Sequence, residues 1–293
     1  MATAAHLQGS VANRHWRWFA NHLASVLAVG ATILVIAPLV AIFIDLLYKG
    51  ATSLNLAFFT QLPVPPGESG GGMANAIVGS GVLLALASGM GVPVGIAAGI
   101  YLAEYGRGTK LSTLVRFTAD VLNGVPSIVM GIAVYALIVV PEKGFSAFAG
   151  GVVLGIMMIP TVARTTEEML LMVPHSIREA ALGLGVPNWR AMLSITLKTA
   201  LPGVITGCML AFARVAGETA PLLFTAFGNN FWSMALNQPI EALPLQIYVY
   251  ALGPYDDWHR LAWAGSLVLI VLIVLAVSLV RYVTSRGVLK GAS

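Results

Sequence analysis

Two charges stand inside a stretch that is otherwise apolar: Arg214 and Glu218, in AFARVAGETAPLLFTAF. A guanidinium is planar, permanently charged and suited to bidentate hydrogen bonds with phosphate or another tetrahedral oxyanion. Glu218 would offset that attraction, leaving a site that an anion can leave as well as enter. The i, i+4 spacing puts both on one face of a helix, in the order (Arg before Glu) that pairs less well. A charge at the centre of a bilayer helix costs roughly 2.5–3.5 kcal/mol, so such residues face a protein interior or a water path. Charge chemistry alone leaves two readings open: part of an anion route, or an ion pair pinning this helix to a neighbour. Asp120, Asn123 and Pro126, in TADVLNGVPSIVMG, form a second polar interruption. It is read as a gate that closes a path or as the caps of a broken helix, the capping reading being favoured.

No other constellation competes for a chemical role. The single cysteine, Cys208, lies in an apolar run and excludes an intrachain disulfide. The five histidines show no metal-ligand spacing, and there is no G-x-x-x-x-G-K-[ST] phosphate loop. No nucleophile–base pair suggests catalysis. The expectation is therefore no catalytic residue, no metal and no cofactor in this chain, with any ATP hydrolysis belonging to a partner.

The second informative stretch is a polar island between long apolar runs, EAALGLGVPNWRAMLSITLKTALPG at 179–203. Ser176 and Glu179 have the S-x-x-E spacing of a capping box, which predicts a helix over 177–184. Gly185 supplies a stop, and Pro187-Asn188 sends the chain off in a new direction as a second short helix.

What must position these residues is a set of membrane helices. The chain has 293 residues, 58% hydrophobic and only 10% charged, with a mean hydropathy of +0.86. Soluble proteins carry about 25% charged residues, so this is a membrane protein on composition. Crossing roughly 30 Å at 1.5 Å per residue takes about 20 apolar residues. Six such runs occur, near 23–48, 74–103, 113–140, 146–172, 200–225 and 260–283. The first is too long for a signal-peptide core and is read as a retained span. With both termini cytoplasmic, most of the 16 Lys and Arg residues fall on the inner side, as the positive-inside rule asks. Lys49, Lys143 and Arg260 fall outside, Arg214 within a span, and the island faces the cytoplasm. This balance explains the pI of about 9.3 without any nucleic acid.

The runs after residue 73 are rich in small residues. Gly91, Gly95 and Gly99 repeat at four, as do Gly151 and Gly155, then Gly203 and Gly207. Small residues four apart let helix backbones approach closely in lipid. Pro93, Pro126, Pro160 and Pro221 interrupt spans, which lipid tolerates only where protein or a cavity satisfies the freed backbone groups. The layout read from this is a cytoplasmic segment 1–22, a peripheral first span 23–48 and an outer loop 49–72. A tight five-helix core follows at 73–283, with the island loop at 176–203, and a tail at 284–293.

Glu179, Ala180, Ala181, Gly185, Ile195 and Leu197 match in register the E-A-A, three residues, G, nine residues, I, one residue, L-P pattern of ABC importer permeases. Lys198 stands where that pattern has proline. AGETAPLLFTA at 216–226 and LNGVPSIVMG at 122–131 resemble the PstA-type permease family of bacterial phosphate importers. The resemblance covers most of 73–283 and implies an all-α type I ABC importer permease fold with six spans in the inner membrane. It implies a PstC-type permease partner, two copies of an ATP-binding subunit holding ATP and Mg, and a periplasmic phosphate-binding protein. It places Arg214, with Glu218 close by, on the substrate route. It also makes Glu179, Ala180, Ala181 and Gly185 part of a coupling helix that docks on the ATPase. Rival readings are a permease for another oxyanion such as sulfate or molybdate, an ion-gradient-driven secondary transporter, and a non-transporting scaffold or sensor.

Overall fold

The computed structural model describes residues 11–290 except Arg107, with side chains over 16–284. The expected cytoplasmic segments at the two ends lie partly outside the described residues. The side chains of Arg14, Arg107, Arg286 and Lys290 lie outside them too.

All regular structure here is helical, apart from one isolated bridge between Phe227 and Ile240. The elements are α1 (Val11–Ser53), α2 (Leu56–Thr60), α3 (Ala74–Ile100), α4 (Lys110–Gly124), α5 (Ser127–Val134), α6 (Val140–Glu142), α7 (Ala147–Leu171) and α8 (His175–Gly183). They continue as α9 (Asn188–Ala191), α10 (Leu197–Ala216), α11 (Ala220–Thr225), α12 (Leu243–Leu252) and α13 (Asp256–Lys290). One π-helical turn each extends α3 (Tyr101–Tyr105), joins α5 to α6 (Tyr135–Val139) and joins α9 to α10 (Met192–Thr196).

Five helices are long and apolar enough to cross a membrane: Trp16–Ser53, Ala74–Tyr105, Ala147–Leu171, Asn188–Ala216 and Asp256–Thr284. The sixth run is a pair, Lys110–Gly124 and Ser127–Glu142, bent by 106°. Val125 and Pro126 are both extended at the break. Proline disfavours the helical conformation in the residue before it, so the chain leaves α4 at Val125.

The centre of the bundle is α3 against α7, and α10 packs on both, mainly on α7. Small residues set this geometry. A Cβ on Gly91 would lie 2.7 Å from the Gly155 carbonyl, and one on Gly95 2.7 Å from Val162 Cβ. A Cβ on Gly99 would meet the Ala163 carbonyl at 2.7 Å. On the α10 side a Cβ on Gly207 would run into Thr165, and one on Gly203 would lie 2.7 Å from Met169 Cγ. Backbone approaches this close replace the hydrophobic drive that lipid does not provide. A second cluster, from Phe58, Met73, Leu243, Tyr250 and Ala264, ties α2, α12 and α13 to the start of α3. α1 packs on α13 and exposes most of its length.

The chain departs from the sequence reading in two places that matter for function. The run expected at 200–225 is not one helix: α10 ends at Ala216, and Gly217–Thr219 separate it from α11. Pro221 lies in the first turn of α11, where its missing N–H costs nothing, and it marks a new start. The capping box at Ser176 does not form either. Pro174 takes the N-cap position with an extended ψ of 136°, so α8 starts at His175 and Ser176 is already inside its first turn. Gly185 does end this helix, in the left-handed region at φ 79°.

Candidate functional site

Arg214 lies in the last turn of α10. Because the helix stops at Ala216, Glu218 lies beyond it, and the two do not share a helix face as their spacing suggested. Neither makes a side-chain hydrogen bond or an ion pair among the described residues. Pro202, Thr206, Leu210 and Arg214, four apart, form an exposed stripe along α10, while Val204, Cys208, Ala211 and Val215 pack inward. The pinning reading therefore finds no partner for Arg214 among the described residues. A guanidinium on an uncovered face of a membrane helix needs water, an anion or another chain beside it. Glu218 is half-buried and borders a small gap with Ser80, Leu83, Leu222 and Pro244.

Asp120 and Asn123 do not cap the broken helix. No side chain caps α5, and Asp120 instead grips Arg164 of α7 with both oxygens, at 3.0 and 2.9 Å. Asn123 Oδ1 accepts from the Thr161 hydroxyl at 3.3 Å. Deeper in the same seam Glu167, buried, accepts from Arg116 at 2.7 Å and from Arg164 at 3.3 Å. Arg116 also donates to the Leu102 carbonyl at 3.2 Å. Two arginines and two carboxylates thus clip α4 to α7 and to the end of α3. Sequence reasoning missed this cluster. Its signal was Arg164 and Glu167 inside a run taken as purely apolar, but the pairing spans more than forty residues and no local pattern reveals it.

The island helix α8 stands off the bundle. Ala181 is buried beneath it, while Glu179, Ala180 and Gly185 are exposed. Ile177, Leu182, Leu184, Trp189 and Leu193 add exposed apolar side chains on and beside it. This small helix buries one alanine and exposes an apolar patch beside a carboxylate.

At the other end of the bundle the connection from α11 to α12 forms a chamber of about 440 Å³ against the 62–66 loop. Phe227 and Gly228 are both left-handed, at φ 64° and 89°, which turns the Asn229 N–H onto Glu241 Oε2 at 3.0 Å. The Ala242 N–H reaches Oε1 at 3.2 Å. Position 228 favours glycine because of its φ of 89°, and a Cβ there would also lie 2.9 Å from Oε2. Burial pushes the Glu241 carboxyl up to about 7, against the two backbone donors that favour its charged form. Asn75 at the start of α3 donates to the Asn229 carbonyl at 2.7 Å and fixes the turn to the bundle. Glu241 carried no motif and was not foreseen.

Comparison with known proteins gives these features a context. Residues 91–287 match the family described as "Binding-protein-dependent transport system inner membrane component". The protein named phosphate transport system permease protein PstA of Yersinia pestis is 45% identical over 271 residues, covering 92% of each chain. Its namesake in Xylella fastidiosa strain Temecula1 is 49% identical over 78% of this chain and 80% of its own. The Haemophilus influenzae namesake is 43% identical over 90% and 93%. Among solved structures, an inward-facing form of the MetNI methionine ABC transporter aligns at a TM-score of 0.57 and 21% identity. That match covers 74% of this chain and 96% of the other and shows the shared fold of ABC importer permeases. By the match over residues 91–287 and the 43–49% identity to these relatives over most of its length, the chain belongs to the family of binding-protein-dependent transport system inner membrane components.

Proposed function

We propose that this chain is one permease half of an ATP-driven importer of inorganic phosphate in the bacterial inner membrane. The observation that carries the substrate is the name shared by relatives 43–49% identical over most of the chain. The chain's own geometry is consistent with it: Arg214, exposed and unpaired on α10, offers an oxyanion two parallel N–H donors. The half-buried carboxyl of Glu218 lies just beyond the helix end and keeps that attraction from becoming a trap.

In this reading a PstC-type permease covers the open stripe of α10, and the path opens between the two chains near Arg214. Both termini face the cytoplasm. A periplasmic phosphate-binding protein delivers the anion to the outer face. Two copies of an ATP-binding subunit, holding ATP and Mg, dock on the exposed patch of α8 through Glu179, Ala180 and the turn at Gly185. Closing and opening of that pair moves α8 and switches the access side, so phosphate and ATP must each bind one access state better than the other. The Asp120–Arg164 pair, two turns from the break at Pro126, lies where a gate on the inner half would close.

The test is co-purification and uptake in one strain. The tagged chain is expected to bring down a second permease and a P-loop ATPase, and Arg214→Ala to retain both while losing phosphate uptake. Wild-type uptake by Arg214→Ala would remove that residue from the path. A chain that comes down alone, even after crosslinking, would overturn the importer reading.

A further inference from the structure

The underside of α8 carries an ion pair that no part of the docking argument uses. Arg178, immediately before Glu179, turns inward; its Nη1 lies 2.6 Å from Glu104 Oε1, in the π-helical turn that ends α3. Its Nη2 donates to the Leu170 carbonyl at 2.7 Å, in the last turn of α7. Both side chains are largely buried, at 12% and 17% exposed. Around them lies a cavity of about 250 Å³ bordered by Tyr105, Leu182, Asn188 and Met192. Across that gap α8 is not packed against α3. Besides its packing on α9 and on the π-helical turn that leads into α10, one guanidinium ties the helix to the ends of α3 and α7.

We infer that Arg178 and Glu104 form a strut that carries displacement of α8 to α3, making them positioning residues for coupling rather than residues of the docking surface. This rests on the importer reading above. A planar guanidinium that is ion-paired to Glu104 through one nitrogen and hydrogen-bonded to the Leu170 carbonyl through another resists tilting as well as separation, which a lysine in its place would not. The tie also reaches α3, the helix most closely packed on α7, so a push on α8 need not travel only through α9 and α10. Glu104 has its second connection through the bundle: Leu102, two residues earlier, offers its carbonyl to Arg116 of the α4–α7 clip.

The experiment uses the assembled transporter in proteoliposomes, with labelled phosphate uptake and ATP turnover measured together. Arg178→Gln and Glu104→Gln are expected to keep the ATPase bound but to lower phosphate transported per ATP by about tenfold, the scale of one charged hydrogen bond. The double exchange, Arg178→Glu with Glu104→Arg, should recover much of the loss. An unchanged ratio in the single variants, or a double exchange as uncoupled as its parents, would overturn the strut. An unaltered chain that binds no ATPase would instead overturn the importer reading beneath it.

Discussion

Replacing Glu241 by glutamine should change how stability depends on pH, and the size and sign follow from its surroundings. The carboxyl ordinarily titrates at 4.5 and is raised to about 7 in the folded chain. Below pH 4.5 it is neutral both folded and unfolded. Between 4.5 and 7 the unfolded chain ionises while the folded chain holds its proton, so stability falls as pH rises and levels off above about 7. The gap between the two values, at about 1.4 kcal/mol per unit, amounts to about 3 kcal/mol. The other titratable group lining the chamber is Tyr250, whose hydroxyl accepts from Gln246 at 3.2 Å and which burial also raises. Glutamine keeps the shape, retains an acceptor for one of the two backbone N–H groups and cannot ionise. Thermal unfolding of the purified chain, followed by circular dichroism from pH 5 to 8, is the assay. The difference in stability between variant and parent should move in the variant's favour by about 2.5 kcal/mol across that range, the remainder falling below pH 5. Parallel slopes for the two proteins would refute the account of Glu241 as a buried carboxyl without a cation.

The helix seams give two further contrasts by the same assay. Gly95→Ala brings a Cβ to 2.7 Å from Val162 Cβ and should cost about 1–3 kcal/mol. Gly89→Ala, with nothing within 4 Å, should be neutral or gain up to about 1 kcal/mol; equal effects would undo the close-approach argument. Glu167→Gln removes the buried charge and one of the two oxygens that accept from Arg116 and Arg164, and should destabilise by about 2–3 kcal/mol. Asp120→Asn, at an acceptor 56% exposed, should cost under about 1 kcal/mol, and the reverse order would show the clip to be held from the outside.

What the sequence made legible was what lies within a few residues or repeats with a fixed period. The apolar runs are set by bilayer thickness, and the glycines at 91, 95 and 99 are spaced by the helical turn, so both could be read directly. Gly185 was legible because one residue type suits a left-handed stop. Local reading failed where two local signals competed. Pro174 outweighed Ser176 for the start of α8, and Gly217 with Pro221 ended a run that hydropathy alone carried to 225. It failed again where chemistry is assembled from distant parts. Glu167 with Arg116, Arg178 with Glu104, and Asn75 with Asn229 meet only because elements far apart in the sequence pack together. Arg214 shows both sides: its cost in a membrane was plain from the sequence, but that it has no partner among the described residues needed the fold.

The decisive measurement is uptake of labelled phosphate into proteoliposomes holding the complete transporter. Uptake is expected to require ATP and the binding protein, to resist excess sulfate and to vanish with Arg214→Ala. Uptake that proceeds without ATP, or that sulfate blocks as well as phosphate does, would overturn the phosphate-importer reading.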